Sequence, residues 1–318
     1  MKHYIPLLWV KDSCMQPPFL QSGDTIGIVS TARWVSPEQL APAIALFESW
    51  GLRVKVAPNV GTKTFQLAGN DASRLADLQA MLDDKEVKAI IISRGGYGTV
   101  RLIDQIDWTF FDQNPKWIAG YSDITVLLNR LSNQGFSAIH STMPISFPDA
   151  TKEALDNLKA ALFGELNEMT WEGGLFAGQA EGEIVGGNLS VIYSQLGSAT
   201  QLKAKGKILF LEDVDEMLYH TDRMLMGLKR AGVLDGIVGL IAGGFTQMKD
   251  NTLAFGFSLE NPWGADVEDM FREFFGPMGV PVASKFPAGH LADNRAFYMG
   301  KKASLKVDNK NCRLVFPV

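Results

Sequence analysis

Apolar and polar positions alternate along this chain with two different periods. Thr25-Ile26-Gly27-Ile28-Val29-Ser30, Leu52-Arg53-Val54-Lys55-Val56, Val87-Lys88-Ala89-Ile90-Ile91-Ile92-Ser93, Trp117-Ile118-Ala119-Gly120 and 137–140 are short runs of strand type. The third is β-branched and nearly all apolar, as parallel strands buried on both faces are. Stretches with helical spacing lie between these runs. Ser36-Pro37-Glu38-Gln39 opens one, with Ser as N-cap, Pro at the first helical position and Gln three after the cap. It runs to about Trp50, and Gly51 ends it. Asn70-Asp71 caps another, which carries Leu75, Leu78, Met81 and Leu82 at helical spacing. Five strands alternating with helices predict βαβ units. The expected fold class is α/β, with a parallel Rossmann- or flavodoxin-like sheet over 17–150 and helices on both its faces. Ligands of such sheets bind beyond the carboxyl ends of the strands.

Residues 1–16 read as an N-terminal extension. A helix is predicted over 151–163, and the glycine-rich stretch 164–182 reads as a linker or loop. Beyond it the texture changes to short strands at Glu183-Ile184-Val185, 207–211, 236–241, 296–299, 303–307 and 313–316, interrupted by helices over 217–230 and 267–275. This predicts a smaller, β-rich mixed domain over 183–318.

With 318 residues, two domains are the natural outcome. The chain is 46% hydrophobic and 20% charged with a net charge of −5. No basic run stands out, so neither nucleic acid nor an anionic membrane surface is expected as a partner. No stretch is long and apolar enough to span a membrane. The two cysteines, Cys14 and Cys312, lie near opposite ends without a CxxC spacing, which fits a reduced cytoplasmic location. There is no His-Glu-x-x-His and no Cys/His cluster, so neither a metal nor a cofactor is expected.

Two loops at strand carboxyl ends could carry chemistry. Gly120-Tyr121-Ser122-Asp123 joins an apolar strand to an amphipathic helical run. Asp123 and Thr125 suit a first helical turn, which makes Ser122 either part of an N-cap or a nucleophile thrust out of a sharp turn beside free amides. Arg94-Gly95-Gly96-Tyr97-Gly98 follows the neighbouring strand. It lacks the spacing of a nucleotide-binding loop and suits an oxyanion contribution better.

A serine nucleophile needs a base, and the base needs an orienting acid. His3 is in the extension, His140 ends a strand, and His220 lies in a helix where Glu216 sits four residues before it. His290, in Pro287-Ala288-Gly289-His290 just after a strand, is the best-placed base. Glu212 ends an apolar strand, where a carboxylate is costly without a partner. Asp213, Asp215 and Glu216 compete with it for the acid's role.

The chain resembles the LD-carboxypeptidases, the murein tetrapeptide carboxypeptidase family (serine peptidase family S66), which also includes the microcin C self-immunity hydrolases. The matching stretches are Gly23-Asp24-Thr25-Ile26, Arg94-Gly95-Gly96-Tyr97-Gly98 with Arg101-Leu102, Gly120-Tyr121-Ser122-Asp123-Ile124-Thr125 and Gly186-Gly187-Asn188-Leu189. Leu211-Glu212-Asp213, Tyr219 with Asp222-Arg223-Met224-Leu225, and Gly289-His290 complete the series, in family order. Where many members have His-Gly-Pro-Met this chain has His140-Ser141-Thr142-Met143, which would reshape a crevice wall near the nucleophile.

The resemblance implies a Ser-His-Glu triad of Ser122, His290 and Glu212, a homodimer, and oxyanion donors in the backbone N–H groups of Asp123 and Gly96. The expected substrate is a murein peptide, losing its C-terminal D-alanine. Arg94, Arg101 and Arg223 are candidates for its terminal carboxylate, and Tyr97 is a further substrate-binding candidate. Two alternatives remain open. One is a hydrolase of aminoacyl- or peptidyl-nucleotide amides, for which Trp171 or Trp263 could stack on the base. The other is a non-catalytic small-ligand binder. An α/β-hydrolase is disfavoured, because Ile124 stands where that fold's elbow needs a small residue.

Overall fold

The computed structural model describes residues 15–250 and 262–317. His3, Cys14 and most of the predicted extension lie outside them. Met15 is already part of the fold, with its N–H on the Gly135 carbonyl at 2.7 Å.

The first half alternates strands and helices as the pattern predicts. β1 (Thr25–Val29), α1 (Pro37–Ser49), β2 (Arg53–Val56), α2 (Asp71–Asp83), β3 (Val87–Ile92), α3 (Thr109–Gln113), β4 (Trp117–Gly120), α4 (Thr125–Asn133), β5 (Ala138–His140) and α5 (Lys152–Phe163) follow in order. The Ser36 capping box forms as expected, and Asn70 accepts from the Ser73 amide at the start of α2. β2, β1, β3, β4 and β5 lie side by side in that order, all parallel. Ile28, Ile90, Ile91, Trp117 and Ile118 are fully buried between the helices, as strands covered on both faces require.

The second half consists of β6 (Glu168–Glu172), β7 (Gly174–Phe176), β8 (Gly178–Asn188), α6 (Leu189–Ser194), β9 (Ile208–Val214), α7 (Leu218–Arg230), β10 (Gly239–Thr246), α8 (Val267–Phe275), β11 (Val282–Ala283), β12 (Phe297–Met299), β13 (Lys302–Val307) and β14 (Asn311–Val315). A mixed sheet takes the order β6-β14-β13-β8-β9-β10-β11-β7, in which β8, β9, β10 and β11 are parallel.

The structure corrects one expectation and refines another. The glycine-rich stretch 164–182 is not a loop: it forms β6, β7 and the first part of β8. Its glycines permit close packing, since a Cβ on Gly173 would stand 2.0 Å from the Ser284 carbonyl oxygen and one on Gly174 would stand 2.1 Å from that of Asp308. The strand predicted at 296–299 forms as β12, but it crosses back to the first sheet and pairs antiparallel with β5. There Phe297 stacks on His140, with ring centroids 4.9 Å apart. The sheet that carries the Ser122 turn is thus completed by a strand from the far end of the chain.

Candidate active site

The turn after β4 is tight because Gly120 has no side chain: a Cβ there would lie 3.1 Å from Ile124, which folds back over it. Ser122 then adopts φ +64°, a left-handed conformation that costs a non-glycine residue on the order of 1–2 kcal/mol. The short 3-10 turn Ser122–Ile124 leads directly into α4. Its first internal bond runs from the Ile124 N–H to the Tyr121 carbonyl at 3.3 Å, so the amides of Ser122 and Asp123 precede the hydrogen-bonded ladder. Ser122 is half-buried, and its hydroxyl takes up no hydrogen bond among the described residues. Its side chain is therefore available to an incoming group.

The glycine loop after β3 packs against this turn. A Cβ on Gly95 would sit 3.2 Å from Ser122 Cβ and 3.4 Å from its Oγ, with Met143 Cε at 3.2 Å on another side. Gly95 is therefore the glycine in contact with Ser122, whereas Gly96 (φ +108°) lies against the side chain of Arg33. The buried Asp123 carboxylate ties the two loops together by accepting the Thr99 N–H at 2.9 Å. Burial pushes this carboxyl upward, opposed by its bonds to Thr99 and Gly98 and by the charge of Arg74. From below, the fully buried Arg74 donates to the Gly98 carbonyl at 3.0 Å and pairs with Asp71.

The second half supplies Glu212 and His290. β9 carries Glu212, fully buried, and Oε2 of its carboxylate meets Nδ1 of His290 at 2.7 Å. An ionised carboxylate can only accept, so Nδ1 carries the proton and Nε2 is left as the basic nitrogen. Burial acts to lower the His290 pKa, but the Glu212 hydrogen bond and the charges of Glu212 and Asp213 outweigh it, so the net shift is upward. The loop is held by Gly289 N–H on Asn294 Oδ1 at 2.8 Å and by Thr246 Oγ1 on the His290 carbonyl at 3.1 Å. Gly289 has φ +110°, and a Cβ there would stand 2.8 Å from Glu212 Oε2. We predict that Gly289→Ala costs several kcal/mol of stability and most of the activity, because it pushes on the pair and strains the backbone. Thermal unfolding and turnover of the purified variant check this.

The rival acids are engaged elsewhere. Successive strand residues face opposite sides, so Asp213 points away from His290, accepting from Asn188 Nδ2 and the Ser190 N–H, each at 2.9 Å. Burial, then the neighbouring Glu212, raise the Asp213 carboxyl to about 7. Asp215 pairs with Lys249, and Glu216 binds His220 Nδ1 at 2.6 Å. His140 is buried with both nitrogens unpartnered among the described residues, and burial, then the neighbouring His290, push it down to about 3, so it packs as a neutral ring.

The two halves touch at the residue before Ser122. The Tyr121 ring packs on the His290 imidazole with centroids 4.9 Å apart. The Asn188 N–H donates to Thr125 Oγ1 at 3.0 Å, clamping the start of α4 to the end of β8. The substrate-binding candidates fare differently. Arg94 donates to the Trp34 carbonyl at 3.1 Å, beside the glycine loop. Arg101 is paired with Asp71 at 2.7 Å, and Tyr97 is 52% exposed. Arg223 is exposed on α7 with its guanidinium 5.1 Å from the Tyr219 ring centre, and no hydrogen bond or ion pair joins it to the Ser122 turn or to His290 among the described residues. Trp171 packs on Phe286 and donates to the Ser284 carbonyl at 2.9 Å, whereas Trp263 is 44% exposed.

The profile of the LD-carboxypeptidase N-terminal domain matches residues 26–141, and that of the C-terminal domain matches residues 181–305. The chain belongs to the LD-carboxypeptidase family. Its class is therefore that of the serine-type LD-carboxypeptidases. Among similar proteins of this family, a probable murein peptide carboxypeptidase of Bacillus subtilis is 34% identical over 306 residues, spanning 93% of this chain and 92% of the relative. The crystal structure of a muramoyltetrapeptide carboxypeptidase from Oxalobacter formigenes superposes with a TM-score of 0.80 at 25% identity, covering 92% of this chain and 99% of the other. MccF in complex with glutamyl sulfamoyl guanosine shares the fold, with a TM-score of 0.83 at 19% identity over 95% of this chain and 98% of its own. No helix among the described residues is long and apolar enough to cross a membrane.

Proposed function

We propose that this LD-carboxypeptidase releases the C-terminal D-alanine from murein tetrapeptide during cell-wall recycling, through a Ser122-His290-Glu212 triad and an acyl-enzyme. The observation that carries the reading is the buried Glu212–His290 pair, held through Tyr121 against a serine in strained left-handed backbone. Such a pair orients the imidazole and stabilises its charged form when it takes a proton.

The step sequence follows from the atoms. Ser122 Oγ forms a bond to the scissile carbonyl carbon while its proton passes to His290 Nε2. The carbonyl oxygen, now negative, is held by the backbone N–H groups of Asp123 and Gly96. The C–N bond then breaks as His290 returns the proton to the leaving amine. A water gives a proton to His290, attacks the ester and releases the shortened peptide, and the proton goes back to Ser122. Glu212 fixes the tautomer through its bond to Nδ1. The reading carries with it the cytoplasmic location and the homodimer expected from the sequence.

Its test is a comparison of turnover. The protein is incubated separately with murein tetrapeptide and with an aminoacyl-sulfamoyl adenosine, and the products are resolved by mass spectrometry. Faster release of D-alanine supports the reading. Faster cleavage of the nucleotide conjugate would place the chain with the microcin hydrolases instead.

A further inference from the structure

A carboxypeptidase must recognise the free carboxylate beyond the bond it cuts. The arginines that the sequence offers for this are committed to Asp71 or to the Trp34 carbonyl, or lie on α7. Arg33, in the loop after β1, differs from them. It is exposed, and its guanidinium makes no hydrogen bond or ion pair among the described residues. Its stem rests on the glycine loop, where a Cβ on Gly96 would meet Cδ at 2.5 Å, Cγ at 2.8 Å and Nε at 2.9 Å.

The base of Arg33 is fixed on every side. Its own N–H reaches the Gly95 carbonyl at 3.4 Å, and it forms an isolated bridge with Leu67. The next residue, Trp34, donates from Nε1 to the Gly61 carbonyl at 2.7 Å and from its backbone to that of Gln66 at 2.9 Å. Loops after β1, β2 and β3 thus converge to hold one uncommitted guanidinium beside the residue that contacts Ser122. The absent side chain of Gly96 is what lets it lie there.

We propose that Arg33 binds the α-carboxylate of the departing C-terminal residue. The assignment rests on Ser122 as nucleophile and Gly96 as an oxyanion donor. A carboxylate one residue past the scissile carbonyl lies about 3.5 Å along the chain, and its hydrogen bond adds about 2.9 Å. A side chain lying on Gly96 is within that reach of a carbonyl whose oxygen is bound by the Gly96 amide. The planar guanidinium matches a carboxylate with two parallel bonds, which a lysine does not.

The test uses two peptides, the tetrapeptide with its free carboxylate and the same peptide ending in a carboxamide, with wild-type protein, Arg33→Ala and Arg33→Lys. Wild type should prefer the acid. In Arg33→Ala, kcat/KM on the acid should fall by about 10- to 100-fold and on the amide far less, so that the preference collapses, with Arg33→Lys between the two. A wild type that cleaves both peptides alike, or an Arg33→Ala that keeps the full preference while cleaving the acid, overturns the Arg33 assignment and leaves the carboxypeptidase reading standing. A wild type that releases neither D-alanine from the acid nor D-alaninamide from the amide overturns both.

Discussion

Ser122→Ala should remove roughly four to six orders of magnitude of turnover on murein tetrapeptide, the scale seen when a triad loses its nucleophile. The fold should survive. Ser122 is half-buried, its hydroxyl holds no partner among the described residues, and the turn is fixed by other groups: Gly120 under Ile124, and Asp123 on Thr99. Stability separates a strained nucleophile from an ordinary cap. At φ +64° alanine keeps the backbone strain, whereas glycine relieves it. Ser122→Gly should therefore be more stable than Ser122→Ala by about 1 kcal/mol, and both should be inactive. Denaturant unfolding of the two variants, set beside their turnover, reads both quantities. A serine that merely capped the turn would instead cost stability and leave turnover near wild type.

Glu212→Gln should cost about 10³- to 10⁴-fold in kcat/KM with little change in shape. An amide can accept from Nδ1 or donate to it, so the tautomer is no longer fixed, and the negative charge that stabilises the imidazolium is gone. The pH dependence gives this loss a signature. In the folded protein His290 titrates above the ordinary imidazole value of 6.5, because Glu212 and Asp213 outweigh its burial. A raised folded pKa means that the protonated ring stabilises the fold below 6.5 and that this contribution fades as pH rises through the folded value. Catalysis runs the opposite way, since only the neutral ring can take the Ser122 proton. The acid limb of kcat/KM should therefore lie above pH 6.5 in the wild type and move to lower pH in Glu212→Gln. An acid limb that stays in place would mean that a group other than His290 is the base.

Local chemistry made much of this legible in the sequence. The β-branched, nearly all-apolar run of β3 marked a buried strand, and the capping box at Ser36 set the start of α1. Ser122 sat at the end of a strand, where an α/β sheet presents its ligands, and His290 sat in a loop that Pro287 and Gly289 shape. Features that depend on distant partners were hidden. The glycines of 164–182 resemble those of a flexible loop until the Ser284 and Asp308 backbones are seen lying against Gly173 and Gly174. β12 looked like one more strand of the second domain, because nothing local in Phe297-Tyr298-Met299 reveals that its partner is β5. Choosing Glu212 over Asp213 required knowing which face of β9 meets His290. Arg33 gave no signal at all, since its place is set by Gly96 and by the loops that Trp34 binds.

The assignment of D-alanine release to this protein rests on one reaction above all. Wild-type protein incubated with L-alanyl-D-glutamyl-meso-diaminopimelyl-D-alanine should yield the tripeptide and free D-alanine by mass spectrometry, with the corresponding peptide ending in L-alanine left intact. An untouched tetrapeptide, or equal cleavage of the L-terminated peptide, would contradict it.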